Sequence, residues 1–147
     1  MRPWVLDCIL RYIRLECGRK EQRGKSDSLH GTRRRNLNAA ACGERVKGKL
    51  FVGEFSTGTE VYLPVVILNG AQDGPVIWVN ACVHGNELNG TLAAQKLARE
   101  LDPRDIRGAV VITPISNPLA YREKKRLSFL EGNYGMGENC NMGEVFP

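Results

Sequence analysis

The stretch that decides the fold runs from Pro75 to Ile115 and reads PVIWVNACVHGNELNGTLAAQKLARELDPRDIRGAVVITPI. Its first eight residues, 75–82, are nearly all apolar, which is typical of a strand covered on both faces. Leucines then recur at helical intervals, and the predicted helix ends at Asp102 because proline disfavours helical geometry in the residue before it. A second apolar strand is predicted for residues 109–115. This order predicts a parallel βαβ unit with a right-handed crossover.

Two more strands are predicted upstream, at Lys49–Glu54 and in the β-forming stretch from Glu60 to Leu68. Pro64 lies inside the second one, which indicates an edge strand or a bulge because proline cannot donate to a neighbouring strand. Together these segments predict an α/β fold, with a mostly parallel sheet and helices on its faces.

The N-terminal third differs from the rest in charge. The net charge is +5, but residues 1–50 hold thirteen Lys or Arg against five Asp or Glu, whereas residues 51–147 hold eight against eleven. Residues 1–17 can form an amphipathic helix, and residues 18–46 show no hydrophobic periodicity. We therefore expect a basic, disordered arm at 1–45 and a folded domain at 46–147.

The cysteines and the apolar segments bear on the cellular compartment. The count of cysteines is odd, and no CxxC pair occurs, which argues against a disulfide framework and favours reduced thiols. No apolar run approaches the roughly 20 residues of a membrane span. Charged residues interrupt the N-terminal apolar segment, so no signal peptide is predicted. A cytoplasmic protein is the expectation. The five cysteines are Cys8, Cys17, Cys42, Cys82 and Cys140.

The first group of residues with chemical potential is His84-Gly85-Asn86-Glu87, at the point where the apolar strand gives way to the helix. In open α/β sheets, ligands bind at the carboxyl ends of strands. His84 and Glu87 are three residues apart, so one turn can bring them to the same side, and a His nitrogen with a Glu oxygen suits Zn²⁺. Alternatively, Glu87 simply lies in the first helical turn, where its charge favours the helix dipole, and His84 caps the strand.

Two further groups follow along the chain. Asn117-Pro118 comes directly after the next predicted strand, where it is either part of a site or a plain turn. Arg126 comes nine residues later in a run of charges, which by itself indicates a solvated face. The third group is the segment 141–147, which begins with Asn141 and ends in Val-Phe-Pro.

These groups, in this order, resemble the succinylglutamate desuccinylase and aspartoacylase family, which is related to the zinc carboxypeptidases. The resemblance covers about residues 46–147 and implies an α/β/α zinc hydrolase that cleaves the amide bond of an N-acyl amino acid or a similar small molecule. It implies that His84 and Glu87 are zinc ligands, that Arg126 steadies the scissile carbonyl, and that Asn117 and Asn141 belong to the substrate site.

The sequence also departs from the pattern of this family. The family's third zinc ligand, a histidine, and its general-base glutamate lie further downstream, so we expect an incomplete, C-terminally truncated fragment. His30, in the basic arm, is not expected to replace that histidine. Glu144 stands where the family usually has an arginine, which indicates either a substrate whose distal group is neutral or basic, or a register of this motif that is displaced by a residue or more.

Two rival functions remain open from the sequence. One is a non-catalytic remnant of the hydrolase. The other is a binding module that uses the basic arm, although contact of this arm with nucleic acid or an anionic membrane is not expected, because no aromatic side chains are interleaved with the charges of residues 18–46. An incomplete domain leaves apolar surface uncovered, so oligomerisation or aggregation is expected.

Overall fold

The computed structural model describes residues 40–129 of the chain, so the predicted helix at 1–17 and the motif at 141–147 lie outside the described residues. No helix within the described part is long and apolar enough to cross a membrane. The elements are β1 (Arg45–Glu54), β2 (Glu60–Asn69), β3 (Gln72–Asn80), α1 (Asn89–Glu100), a 3₁₀ turn (Pro103–Asp105), β4 (Arg107–Thr113) and α2 (Pro118–Glu123).

The four strands form one mixed sheet in the order β1-β2-β4-β3. Only β3 and β4 run parallel; β1 with β2 and β2 with β4 are antiparallel. The prediction of a mostly parallel sheet is therefore wrong for residues 40–129. The reason is the connections: a tight turn joins β1 to β2, with Phe55 N donating to Thr59 O at 2.9 Å. Only the β3–β4 connection contains the helix that a parallel crossover needs.

The strand–helix–strand unit around α1 is confirmed as a parallel pair of neighbouring strands. β3 pairs with β4 from Val76 opposite Ala109 to Asn80 opposite Thr113. Both strands therefore end at the same edge of the sheet, which is where the candidate site residues follow in the sequence.

Pro64 lies in β2 opposite Lys49 of β1, and β4 pairs only with the later part of β2, from Val66 to Asn69. Among the described residues, Pro64 thus has a strand neighbour on one side only. The bulge lies in the partner strand, between Phe51 and Gly53. Proline is tolerated here because its missing N–H removes no ladder hydrogen bond on the open side.

The prediction that the strand beginning at Pro75 is covered on both faces is wrong for the described chain. β3 is an outer strand of the four-stranded sheet, and its side chains Val76 and Ile77 are 40% and 55% exposed. A continuous apolar run predicts a buried strand, but it does not identify the element that covers the strand or show that this element lies within residues 40–129.

The core has one layer on each face of the sheet. On one face, Leu68, Val110 and Ile112 pack against Ala94 and Ala98 of α1. On the other face, Val65, Ile67 and Val111 pack with Ala40. The alternation of strand side chains between faces produces this division, and the alanines of α1 allow close contact of the helix with the sheet.

Contacts with the folded part of the chain also occur before residue 46, the expected domain boundary, which stays a prediction. Ala40 is fully buried, and its carbonyl accepts a 2.8 Å hydrogen bond from Asn69 Nδ2.

Cys42 is disulfide-bonded, which differs from the expectation of reduced thiols, whereas Cys82 is a free, buried thiol.

Candidate metal and active site

The candidate site is built on the loop that follows β3. Main-chain hydrogen bonds tie this loop to the segment after β4: Ser116 N donates to Ala81 O at 2.9 Å, and Asn117 N donates to Cys82 O at 3.0 Å. Cys82 adopts a positive φ of 54°, and its thiol lies 3.4 Å from His84 O. The reversal at Cys82 turns the chain out of the strand just before His84.

His84 and Glu87 face each other across the turn that follows. Glu87 N donates to His84 O at 3.1 Å, and the side-chain atoms His84 Nδ1 and Glu87 Oε1 are also 3.1 Å apart. Helix α1 starts only at Asn89 and has no acidic residue in its first turn. Glu87 therefore does not lie in the first turn of that helix, as the alternative had expected.

Arg126 reaches the same carboxylate from the far end of α2. Its Nη1 donates to Glu87 Oε1, the oxygen that also faces His84. Lys124 ends α2 in a left-handed conformation, and this change of direction brings residue 126 back towards the loop. The structure thus brings together three of the predicted site residues, His84, Glu87 and Arg126, whose chemical roles remain predictions.

Asn117 has a local partner for its side chain. It is buried, and its Oδ1 accepts a 3.1 Å hydrogen bond from Ala120 N, which makes it the N-cap of α2. The plain reading of Asn-Pro as the start of a turn describes this contact well. Its predicted part in substrate binding remains a prediction, and Asn141 lies outside the described residues.

Gly85 is in close contact with the main chain of α2. A Cβ at this position would lie 2.1 Å from Ala120 C and 2.3 Å from Tyr121 N. Gly85 N also donates to Arg126 O at 3.1 Å. The missing side chain allows α2 to pack directly on the loop between His84 and Glu87.

The electrostatics keep Glu87 anionic. The hydrogen bond with His84 is the main cause that lowers the pKa of the Glu87 carboxyl, the Arg126 guanidinium adds to it, and desolvation opposes it. Burial raises the pKa of the Cys82 thiol, so this group stays protonated at neutral pH and does not offer a thiolate.

The His84–Glu87 pair has the donor types and spacing that one zinc ion needs. Zn–N and Zn–O bonds of about 2.1 Å at a tetrahedral angle place the two donor atoms about 3.4 Å apart. The observed 3.1 Å is close to this distance. Within residues 40–129, no group of three His, Cys, Asp or Glu side chains is arranged to hold a metal. The described residues therefore fit two of the three protein ligands of a catalytic zinc.

A cavity of about 470 Å³ lies beside the start of α2, and sequence reasoning did not find it. Ser116 and Asn117 contribute polar atoms, but the remaining walls come mostly from the β1–β2 hairpin, which carries no recognisable motif. His84, Glu87 and Arg126 do not line this cavity. Its other lining residues are Val52, Gly53, Glu54, Phe55, Val61, Leu63, Pro118, Leu119 and Ser128.

Comparison with known proteins points to one family. Residues 73–142 match the Succinylglutamate desuccinylase/Aspartoacylase catalytic domain. Among curated proteins, N-alpha-acetyl-L-2,4-diaminobutyric acid deacetylase of Halomonas elongata is 31% identical over 87 residues, which is 59% of this chain and 23% of that protein.

Solved structures agree with this match. An aspartoacylase family protein from Mesorhizobium loti MAFF303099 superposes with a TM-score of 0.57 at 29% identity, over 70% of this chain and 30% of that one. A succinylglutamate desuccinylase/aspartoacylase from Rhodobacter sphaeroides gives a TM-score of 0.53 at 28% identity, over 60% and 27% of the two chains.

A mixed α/β sheet with helices is the fold that this chain shares with these relatives. The resemblance seen in the sequence is confirmed: the chain is related to the succinylglutamate desuccinylase/aspartoacylase family. It spans about a quarter of the length of the curated relative and under a third of either solved structure.

Proposed function

We propose that this chain carries part of the centre of a zinc-dependent deacylase that hydrolyses the amide bond of an N-acyl amino acid. The observation that carries the proposal is the 3.1 Å approach of His84 Nδ1 to Glu87 Oε1, with Arg126 on the same carboxylate, beyond the ends of β3 and β4. The match to the family's catalytic domain and the deacetylase from Halomonas elongata support it.

Each of the three residues has a distinct part in this proposal. His84 and Glu87 hold the metal, and Glu87 suits the task because its lowered pKa keeps it anionic. Zinc, when bound, lowers the pKa of its water and polarises a carbonyl. Arg126 places a permanent positive charge beside the metal position, where it stabilises negative charge that develops on the amide oxygen.

The centre needs more than the described residues provide. A catalytic zinc takes three protein ligands, and amide hydrolysis needs a group that manages protons. Within residues 40–129, His84 and Glu87 are two such donors, and no group of three is arranged to hold a metal. The third ligand must therefore come from outside this range for the reaction to proceed, and the resemblance to the family implies the same for the general base.

The charge of the substrate follows from Glu144, which lies outside the described residues. An acidic side chain in the position of the family's arginine repels a substrate carboxylate and favours a neutral or cationic distal group. The Halomonas elongata relative is named for N-alpha-acetyl-L-2,4-diaminobutyric acid, whose second amino group is cationic at neutral pH. We propose an N-acyl amino acid with a basic or neutral side chain as the substrate class.

The test of the metal centre is zinc retention after dialysis, measured by atomic emission. We expect His84→Ala and Glu87→Ala to lose the zinc that the wild-type chain keeps. The matched controls are His30→Ala, the other histidine, and Glu100→Ala, an exposed glutamate of α1 whose only described ion pair is with Lys96. Equal zinc content in all four variants would refute the assignment.

A further inference from the structure

Two cationic or hydrogen-bonding groups converge on a single oxygen atom in the site. His84 Nδ1 lies 3.1 Å from Glu87 Oε1, and Arg126 Nη1 donates to that same Oε1. The oxygen that best fits a zinc ligand by its position opposite His84 is thus already engaged by the guanidinium.

We infer that Arg126 competes with the metal for Glu87 Oε1 and so limits the zinc affinity of the site. This inference rests on the proposed zinc centre. A carboxylate oxygen that accepts a charge-assisted hydrogen bond has less electron density to give to a metal. A guanidinium beside that oxygen also repels an arriving Zn²⁺, since both are positive.

The guanidinium is placed so that it can leave without disturbing the loop. The Arg126 side chain is 55% exposed, and that of Glu87 is 56% exposed. The anchor between residue 126 and the loop is a main-chain bond, Gly85 N to Arg126 O at 3.1 Å. With a zinc ion held by Glu87, the Arg126 side chain would be displaced while its backbone stays in place, and its guanidinium would then be free to face a substrate carbonyl.

The alternative role for Arg126 is to support Glu87 as a metal ligand, and this role predicts the opposite change in zinc affinity when Arg126 is removed. Groups that hydrogen-bond to a metal ligand often orient it and raise the affinity for the metal, and their removal then weakens binding. Competition predicts that removal of the guanidinium tightens zinc binding. The sign of one measured change therefore separates the two roles.

The experiment measures the zinc dissociation constant of the full chain by competition with a chromophoric chelator, at fixed pH and ionic strength. We expect Arg126→Ala to bind zinc about two- to fivefold more tightly than the wild type, as expected for the loss of one exposed ion pair. Arg126→Lys retains a charge without the planar fork and should fall between them. Lys125→Ala, from the same charge run, is the matched control and should equal the wild type.

Salt gives a second readout, because ions screen an exposed pair. The difference between wild type and Arg126→Ala should shrink as salt is raised. Weaker or unchanged zinc binding in Arg126→Ala overturns the inference while the zinc centre stands. Zinc binding that survives His84→Ala overturns the proposed centre itself, so the two failures are distinguishable.

Discussion

Gly85→Ala is the substitution that most directly tests the packing of the site. The new Cβ would lie 2.1 Å from Ala120 C and 2.3 Å from Ala120 O, and both atoms are backbone, so no side chain can rotate out of the way. Ordinary contact begins at about 3.4 Å, so α2 and the loop must separate by about 1.3 Å.

The cost of this separation has two parts. Overpacking of a well-packed contact typically costs about 1–3 kcal/mol. The hydrogen bond from Gly85 N to Arg126 O is strained or lost as well, at about 0.5–1.5 kcal/mol. The free energy of unfolding should therefore fall by about 2–4 kcal/mol. For a domain of this size, that corresponds to a Tm lower by roughly 10–25 °C.

Thermal and guanidinium melts followed by circular dichroism measure this effect, with zinc retention as a second readout. Gly53→Ala is the matched control, because its added Cβ meets nothing within 4 Å. We expect this control to change stability by no more than about 0.5 kcal/mol. Equal melts for the two variants would mean that α2 does not pack on the loop as described, and the geometry that joins Arg126 to Glu87 would lose its support.

Three further outcomes are expected. In an active, zinc-loaded enzyme, Arg126→Ala should lower kcat by about 10²-fold with less effect on KM, whereas Lys125→Ala stays near wild type; equal losses would reduce Arg126 to a surface charge. The Arg104 side chain, with its backbone N–H, lowers the pKa of Asp102 to about 2, so the stabilisation from this pair is present above the unfolded pKa of about 3.8 and is lost as pH falls towards 2. A carboxyl NMR titration should show that midpoint and a rise in Arg104→Ala, and an unchanged midpoint contradicts it. Leu92 is 63% exposed, so Leu92→Lys should raise the monomer fraction in sedimentation if apolar surface drives association, and an unchanged distribution counts against that cause.

The parallel pair and the helix between its strands were predictable from sequence, because apolar periodicity reports burial and a short strand–helix–strand order leaves one natural topology. The antiparallel position of β1 and β2 was less accessible. Their apolar content is also typical of buried parallel strands, and the decisive feature is a turn of a few residues between them. The exposure of Ile77 was not predictable, since a strand's composition does not identify what covers it.

The candidate site also has features that the sequence predicts and features that only the fold shows. His84 and Glu87 were predictable as a pair because three-residue spacing within one turn is a local property. The contact between Arg126 and Glu87 spans 39 residues, and it depends on the length of α2 and the left-handed turn at Lys124. A short sequence motif predicts neither the length of this helix nor the left-handed turn. The capping role of Asn117 was within reach of sequence rules, but the family resemblance favoured a substrate role instead.

The main chain, rather than the charged side chains, holds the site together. Loops that follow the two parallel strands exchange backbone hydrogen bonds at Ala81, Cys82 and Gly85, each about 3 Å long. The scaffold therefore does not depend on the Glu87–Arg126 ion pair, which is exposed and contributes little to stability. It follows that removal of the guanidinium should change metal binding and chemistry while leaving the fold intact, whereas a single methyl group at Gly85 should disturb both. This separation allows the chemistry of the site to be tested apart from its stability.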